Sequence, residues 1–310
     1  MQGPCARRLQ AFVKRRRASL PTLIATDGSP IVMDGAPPAQ FRSARRTSER
    51  IHILGGDIDL VRPEEVMHHI GRFIGAGRKA IIANHNSHSL YLLKKRPELA
   101  SFFAKADLIE MDSTPVIFFA RLLGMPSRTF HRCSYVDFRP LFWSMVAVQG
   151  YRVFYIGGAP GVVETASERL MAKYPGAVIG GRDGYFDATP GAPGNTEALA
   201  QIAAFKPDIL FVGMGMPRQE LWIEANLEAL PNCVIMPVGA AFDYEADVQV
   251  APPPWMSDAG LVWAFRLAQE PRRMFARYCL EPWALLPLAL KDVWAAIARK
   301  RAPLQITTSA

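Results

Sequence analysis

The chain has 310 residues, 50% of them hydrophobic and 21% charged, which is enough apolar material for a sizeable core and argues against a chain disordered throughout. Its net charge of +8 favours anionic partners such as nucleotide phosphates or acidic lipid. Four dispersed cysteines without a Cys-x-x-Cys pair argue against a zinc site and do not resemble a disulfide framework, no apolar run is long enough to span a bilayer, and Arg and Lys interrupt the first apolar residues, so no core of a secretory signal is expected there.

Residues 1–49 form a basic extension rich in Pro, Gly, Ser and Arg, expected to be partly disordered. Strands are predicted over 50–55 and 79–83. A helix opens between them at Pro63, because proline suits a first helical turn and Glu64 and Glu65 suit its positive end. A helix over 87–93, a strand over 107–111, a helix over 114–123 ended by Gly124 and a helix over 141–148 ended by Gly150 follow. The second half alternates more plainly, with strands over 152–156, 177–179, 208–212 and 233–238 and helices over 162–174, 197–205 and 219–230. This alternation predicts an α/β fold over 50–250: a Rossmann-like, mainly parallel sheet with helices on both faces. Beyond it, three prolines at 252–254 and helical segments over 260–267, 271–280 and 282–298 predict a helical C-terminal appendage, 251–310. Its last segment carries Trp283 and Trp294 and ends in Arg299, Lys300 and Arg301, a composition suited to an anionic membrane surface or to helix packing.

Ligands of an open parallel sheet bind beyond the carboxyl ends of the strands, so the sequence there is informative. Asn84 and Asn86 follow the strand over 79–83, where their amides can bond a sugar or ribose hydroxyl or cap a helix. Asp112 directly follows LIEM and is either a general base toward a hydroxyl or part of a cap with Ser113 and Thr114. GGAPG over 157–161 is an incomplete dinucleotide fingerprint, yet Gly157 and Gly158 allow backbone amides to approach a diphosphate at a helix N-terminus. GMGMPRQE over 213–220 crowds Gly213, Gly215, Pro217, Gln219 and Glu220 behind a buried strand, more than turn geometry alone requires. Asp243 lies in GAAFDY over 239–244, beside small residues that leave room for a ligand. Arg266, Arg273 and Arg277 have roughly helical spacing and can offset diphosphate charge or form a solvated basic face. His85 and His88 lack a third ligand, so no metal site is assigned.

Together the blocks RVFYIGGAPGVVE, PDILFVGMGMPRQELWI, VGAAFDYEA and PPPWMSDAGLVWAFRLAQEPRRMFARY resemble the WecG/TagA/CpsF family of bacterial glycosyltransferases. The resemblance implies metal-independent, cofactor-independent and inverting transfer. An N-acetylmannosaminyl, glucuronosyl or related residue passes from a UDP-sugar to a polyprenyl-diphosphate-linked saccharide, in surface or exopolysaccharide synthesis. It implies Asp112 as the catalytic base, Asn84 and Asn86 as a polar pair, Gln219 near the sugar, and Arg266, Arg273 and Arg277 at the donor phosphates. It also implies a cytoplasmic protein, peripheral on the inner face of the plasma membrane. No nucleic acid partner is expected, and the oligomeric state, a homo-oligomer included, stays open. Ser113 stands where that family usually has Gly, Val262 where it has Glu, and Asp247 where Gly is common. The Ser113 change narrows the site if the backbone there needs a positive φ. Two rival readings are a non-catalytic, membrane-associated UDP-sugar-binding protein and a nicotinamide-dependent oxidoreductase. The incomplete glycine fingerprint weighs against the second.

Overall fold

The computed structural model describes residues 50–301 except 254, 257 and 258, together with two short antiparallel strands, β1 (Leu23–Ile24) and β2 (Pro30–Ile31). Apart from those strands, the disorder expected of 1–49 lies outside the described residues, as do the side chains of Arg299, Lys300 and Arg301.

The body opens with an antiparallel hairpin, β3 (Arg50–Ile53) and β4 (Gly56–Asp59), which corrects the reading of one strand over 50–55. Leu54 and Gly55 both have positive φ, 52° and 80°, the geometry of a two-residue turn matched to strand twist. In chain order there follow α1 (Pro63–Gly75), β5 (Ala80–His85), α2 (Ser87–Lys95), α3 (Leu99–Lys105), β6 (Leu108–Met111), α4 (Thr114–Leu122), α5 (Tyr135–Gln149), β7 (Arg152–Gly157), α6 (Val162–Lys173), β8 (Val178–Arg182), α7 (Pro193–Phe205), β9 (Ile209–Gly213), α8 (Arg218–Asn226), β10 (Val234–Pro237) and α9 (Ala241–Glu245). Helix α3 was not foreseen, and α5 begins before the predicted start at 141. Pro140 lies inside α5, where Phe138, Phe142 and Trp143 bury themselves and tertiary packing outweighs the proline's missing donor.

The six strands from β5 to β10 form one sheet in the order β6-β5-β10-β9-β7-β8, every pairing parallel. Both faces are covered, which explains the unbroken apolar run of β9. Phe211 faces a core built with Phe142, Trp143 and Phe242, while Leu210 and Val212 face a core built with Phe102, Ile202, Trp222 and Ile223. The architecture is the expected α/β arrangement, a parallel sheet between helical layers.

After the body the chain forms α10 (Val262–Gln269), α11 (Pro271–Phe275), a wide π-helical turn (Ala276–Leu280) and α12 (Glu281–Arg301). Helix α12 starts close to the expected position 282, with Pro282 in its first turn, where a proline fits. Helix α12 docks back on the first half of the body. Leu285 is buried with the hairpin and α4, Asp292 accepts the Leu54 backbone N–H at 2.7 Å, and Glu281 meets His88 at 2.6 Å. The C-terminal arginines are thereby carried over the ends of the first strands.

Candidate active site

The carboxyl ends of all six parallel strands open into one cavity of about 650 Å³. Its wall is built from the turns that follow the strands. At β7 and β9 the backbones approach too closely for side chains: a Cβ on Gly157 would lie 2.4 Å from the Gly213 carbonyl oxygen, and one on Gly213 2.1 Å from the Tyr155 hydroxyl. Gly157 is therefore a packing glycine behind the wall, while Gly158, Gly213 and Gly215 line it.

The cavity brings together Asn84, Asn86, Asp112, Gly158, Gly213, Gly215, Gln219, Asp243, Arg266, Arg273 and Arg277. Gly157, Pro217 and Glu220 are not among its lining residues. Pro217, joined to Met216 by a cis peptide bond, caps α8. Glu220 is buried behind Gln219, whose Nε2 donates to it at 2.7 Å. Burial pushes the Glu220 carboxyl up to about 7 despite that bond. Gln219 in turn accepts the Gly239 N–H at 3.2 Å, tying the end of β10 to the start of α8.

Asn86 is the N-cap of α2: its Oδ1 accepts from the Ser89 N–H at 3.0 Å, and an Arg277 guanidinium nitrogen lies 3.5 Å away. Asp112 continues the ladder of β6, its N–H donating to the His85 carbonyl at 2.8 Å, so backbone bonding fixes its position. Burial pushes the Asp112 carboxyl up to about 6, against the opposing pull of Arg266 and Arg132. Such a group is ionised at neutral pH and still basic enough to take a proton. Arg266 reaches the site by donating to the Tyr244 hydroxyl at 2.7 Å. Arg273 is exposed at the rim, held by Glu270 at 2.7 Å.

A second cavity, about 490 Å³, lies under the C-terminal helices and is walled largely by apolar side chains, among them Val262, Trp263, Leu285 and Leu286. It shares Asn86, His88, Asp112, Ser134, Arg266 and Arg277 with the first, so the two spaces lie side by side along a wall that includes Asp112. Val262 belongs to this apolar wall, where a glutamate would need a partner. Ser113 has φ −150°, which any residue adopts, and its hydroxyl lies 2.9 Å from that of Ser87, so the backbone there makes no demand for glycine. Asp247 does have a positive φ, 58°, a conformation that aspartate tolerates better than most residues, and it pairs with Arg169. Among the described residues no cluster of three or more His, Cys, Asp or Glu is placed to hold a metal ion.

Glu110 and Tyr185 are two of the polar lining residues that sequence reasoning missed. Glu110 sits inside the run LIEM, but its two-residue spacing from Asp112 places both on one strand face. Tyr185, exposed at the rim, follows a strand whose end was expected at 179 rather than at Arg182, which hid its position at a strand terminus.

Residues 51–299 match the family described as Glycosyl transferase WecG/TagA/CpsF. Among curated proteins, the chain is similar to the N-acetylglucosaminyldiphosphoundecaprenol N-acetyl-beta-D-mannosaminyltransferases of Staphylococcus aureus strains MW2, NCTC 8325 / PS 47 and COL. Each is 25% identical over 240 residues, covering 74% of this chain and 89% of the relative.

Proposed function

The chain belongs to the WecG/TagA/CpsF family of glycosyl transferases, and from that premise we propose that it moves a hexosyl-type residue from a UDP-sugar to a polyprenyl-diphosphate-linked saccharide, with inversion, in bacterial surface or exopolysaccharide synthesis. The observation that carries this reading is that a polar and an apolar cavity have Asp112, Arg266 and Arg277 in common in their walls. The names of the Staphylococcus aureus relatives, which join a sugar donor activity to a diphosphoundecaprenol acceptor, support the same substrate classes.

In this mechanism the nucleotide lies in the polar cavity over Gly158, Gly213 and Gly215. The acceptor enters from the apolar cavity. Asp112 accepts the proton of the acceptor hydroxyl, the hydroxyl oxygen forms a bond to the anomeric carbon, and the bond from that carbon to the diphosphate oxygen breaks on the opposite face. Arg266, Arg277 and, from the rim, Arg273 stabilise the charge gathering on the departing UDP. Purified protein given a UDP-sugar panel and a polyprenyl-diphosphate-linked saccharide should release UDP only with acceptor present, and the acceptor's mass should rise by one sugar. UDP binding without transfer across the panel would leave a sugar-nucleotide-binding protein instead.

The acceptor's lipid requires access to a membrane, and α12 supplies a surface for it. Trp283, Leu286, Leu290, Trp294 and Ile297 recur at helical spacing and all stand exposed, Trp283 and Trp294 each 72%. Among the described residues no helix is long and apolar enough to cross a bilayer. The face rests at the headgroup boundary of the cytoplasmic membrane surface, next to the apolar cavity that Leu285 and Leu286 help to form. Replacing Trp283 and Trp294 together by alanine should lower partitioning onto vesicles containing phosphatidylglycerol about tenfold or more, read by co-sedimentation. Unchanged partitioning would assign the stripe to packing between protein chains.

A further inference from the structure

The floor of the polar cavity holds a second carboxyl that the mechanism above leaves unused. Glu110 lies two residues before Asp112 and therefore about 7 Å deeper along the strand direction. Its side chain is only 3% exposed, it lines the cavity beside Ile82 and Met236, and its Oε1 has no hydrogen-bond partner. Its register partner on β5 is Asn84, whose buried Oδ1 is also without a partner. Two oxygens on adjacent strands without a protein partner, between apolar neighbours, are costly unless a ligand, or water in its place, brings donors to them.

We propose that Glu110 is a substrate-reading residue: with Asn84 it forms a floor subsite that takes the hydroxyl- or acetamido-bearing edge of the transferred sugar ring. The proposal rests on the reading that a UDP-sugar occupies this cavity. The anomeric carbon must lie within reach of a hydroxyl held by Asp112, so ring substituents extend toward the floor one pleat below. Burial first, and the negative charge of Asp112 second, hold the Glu110 carboxyl well above the ordinary carboxylate range. Both influences favour the protonated carboxyl, the form with one O–H to donate and oxygens to accept. The ring edge that matches it carries a donor and an acceptor together, as a hydroxyl or an acetamido group does.

Calorimetric titration of the intact protein with UDP, UDP-glucose, UDP-N-acetylglucosamine and UDP-N-acetylmannosamine tests this without requiring turnover. For the best-bound sugar nucleotide, the affinity relative to UDP should fall about tenfold in Glu110→Leu, while UDP itself binds as in the wild type. Glu110→Gln, which keeps a donor and an acceptor in the same shape, should retain that ratio within about threefold. Glu110→Ala serves in place of the leucine variant if thermal melting shows the latter unfolded. An unchanged ratio in the leucine or alanine variant, or equal losses for UDP and the sugar nucleotide, would overturn the subsite while leaving the glycosyl-transfer reading intact. Failure of the wild-type protein to bind UDP would sink both.

Discussion

Asp112→Asn should lower kcat by about two to four orders of magnitude and leave the affinity for UDP within about twofold of wild type. Asparagine matches the carboxylate in shape and preserves the backbone bond from residue 112 to the His85 carbonyl, so the site should keep its form. What disappears is the only property the mechanism requires of this side chain, the capacity to accept a proton. The UDP moiety is proposed to sit over the glycine turns, so its binding has little reason to change. Single-turnover transfer, measured beside calorimetric UDP titration, separates the two effects. Wild-type turnover in this variant would remove Asp112 from the base role.

Arg266→Ala should cost about two to three orders of magnitude in kcat and should also move the pH profile. Arg266 lines both cavities and is fixed by the Tyr244 hydroxyl, so it is preorganised rather than drawn in by substrate. The base works in its ionised form. In the wild type kcat/KM is therefore high above the Asp112 pKa of about 6 and is lost as pH falls through it. Burial raises that pKa and Arg266 opposes the rise, so deleting the guanidinium leaves burial less opposed and shifts the acid limb to higher pH. Arg266→Lys should restore the limb better than the rate, because an ammonium supplies charge without the planar fork that matches phosphate oxygens. An acid limb that stays in place in Arg266→Ala would show that the two groups are not coupled.

Much of the fold was legible because parallel strands covered on both faces must be apolar throughout. RVFYI and DILFV are such runs, and each ends in glycine where strand gives way to turn. Locating those ends was enough to single out Asn84, Asn86, Asp112, Gly158, Gly213 and Gly215, since ligands of such sheets lie beyond them. Where a strand end was misplaced, as at β8, the residue beyond it was missed, and Tyr185 went unnoticed. Glu110 was passed over because a carboxylate within an apolar run reads as part of a strand until its neighbours are known.

The amino-acid sequence by itself determined the family, the alternation of elements and the strand ends, because periodicity, turn chemistry and block motifs act over a few residues. Only the tertiary structure decided that Gly157 and Glu220 turn inward while Gly158 and Gln219 face the cavity, since this depends on how closely separate backbones approach. It alone decided that Arg266 and Arg277, more than 150 positions after Asp112 in the chain, join it in the walls of a polar and an apolar cavity. Burial raises the pKa of both Asp112 and Glu110, and Arg266 and Arg277 oppose the rise at Asp112; that burial and those charges arise from packing between distant segments, which no local pattern encodes.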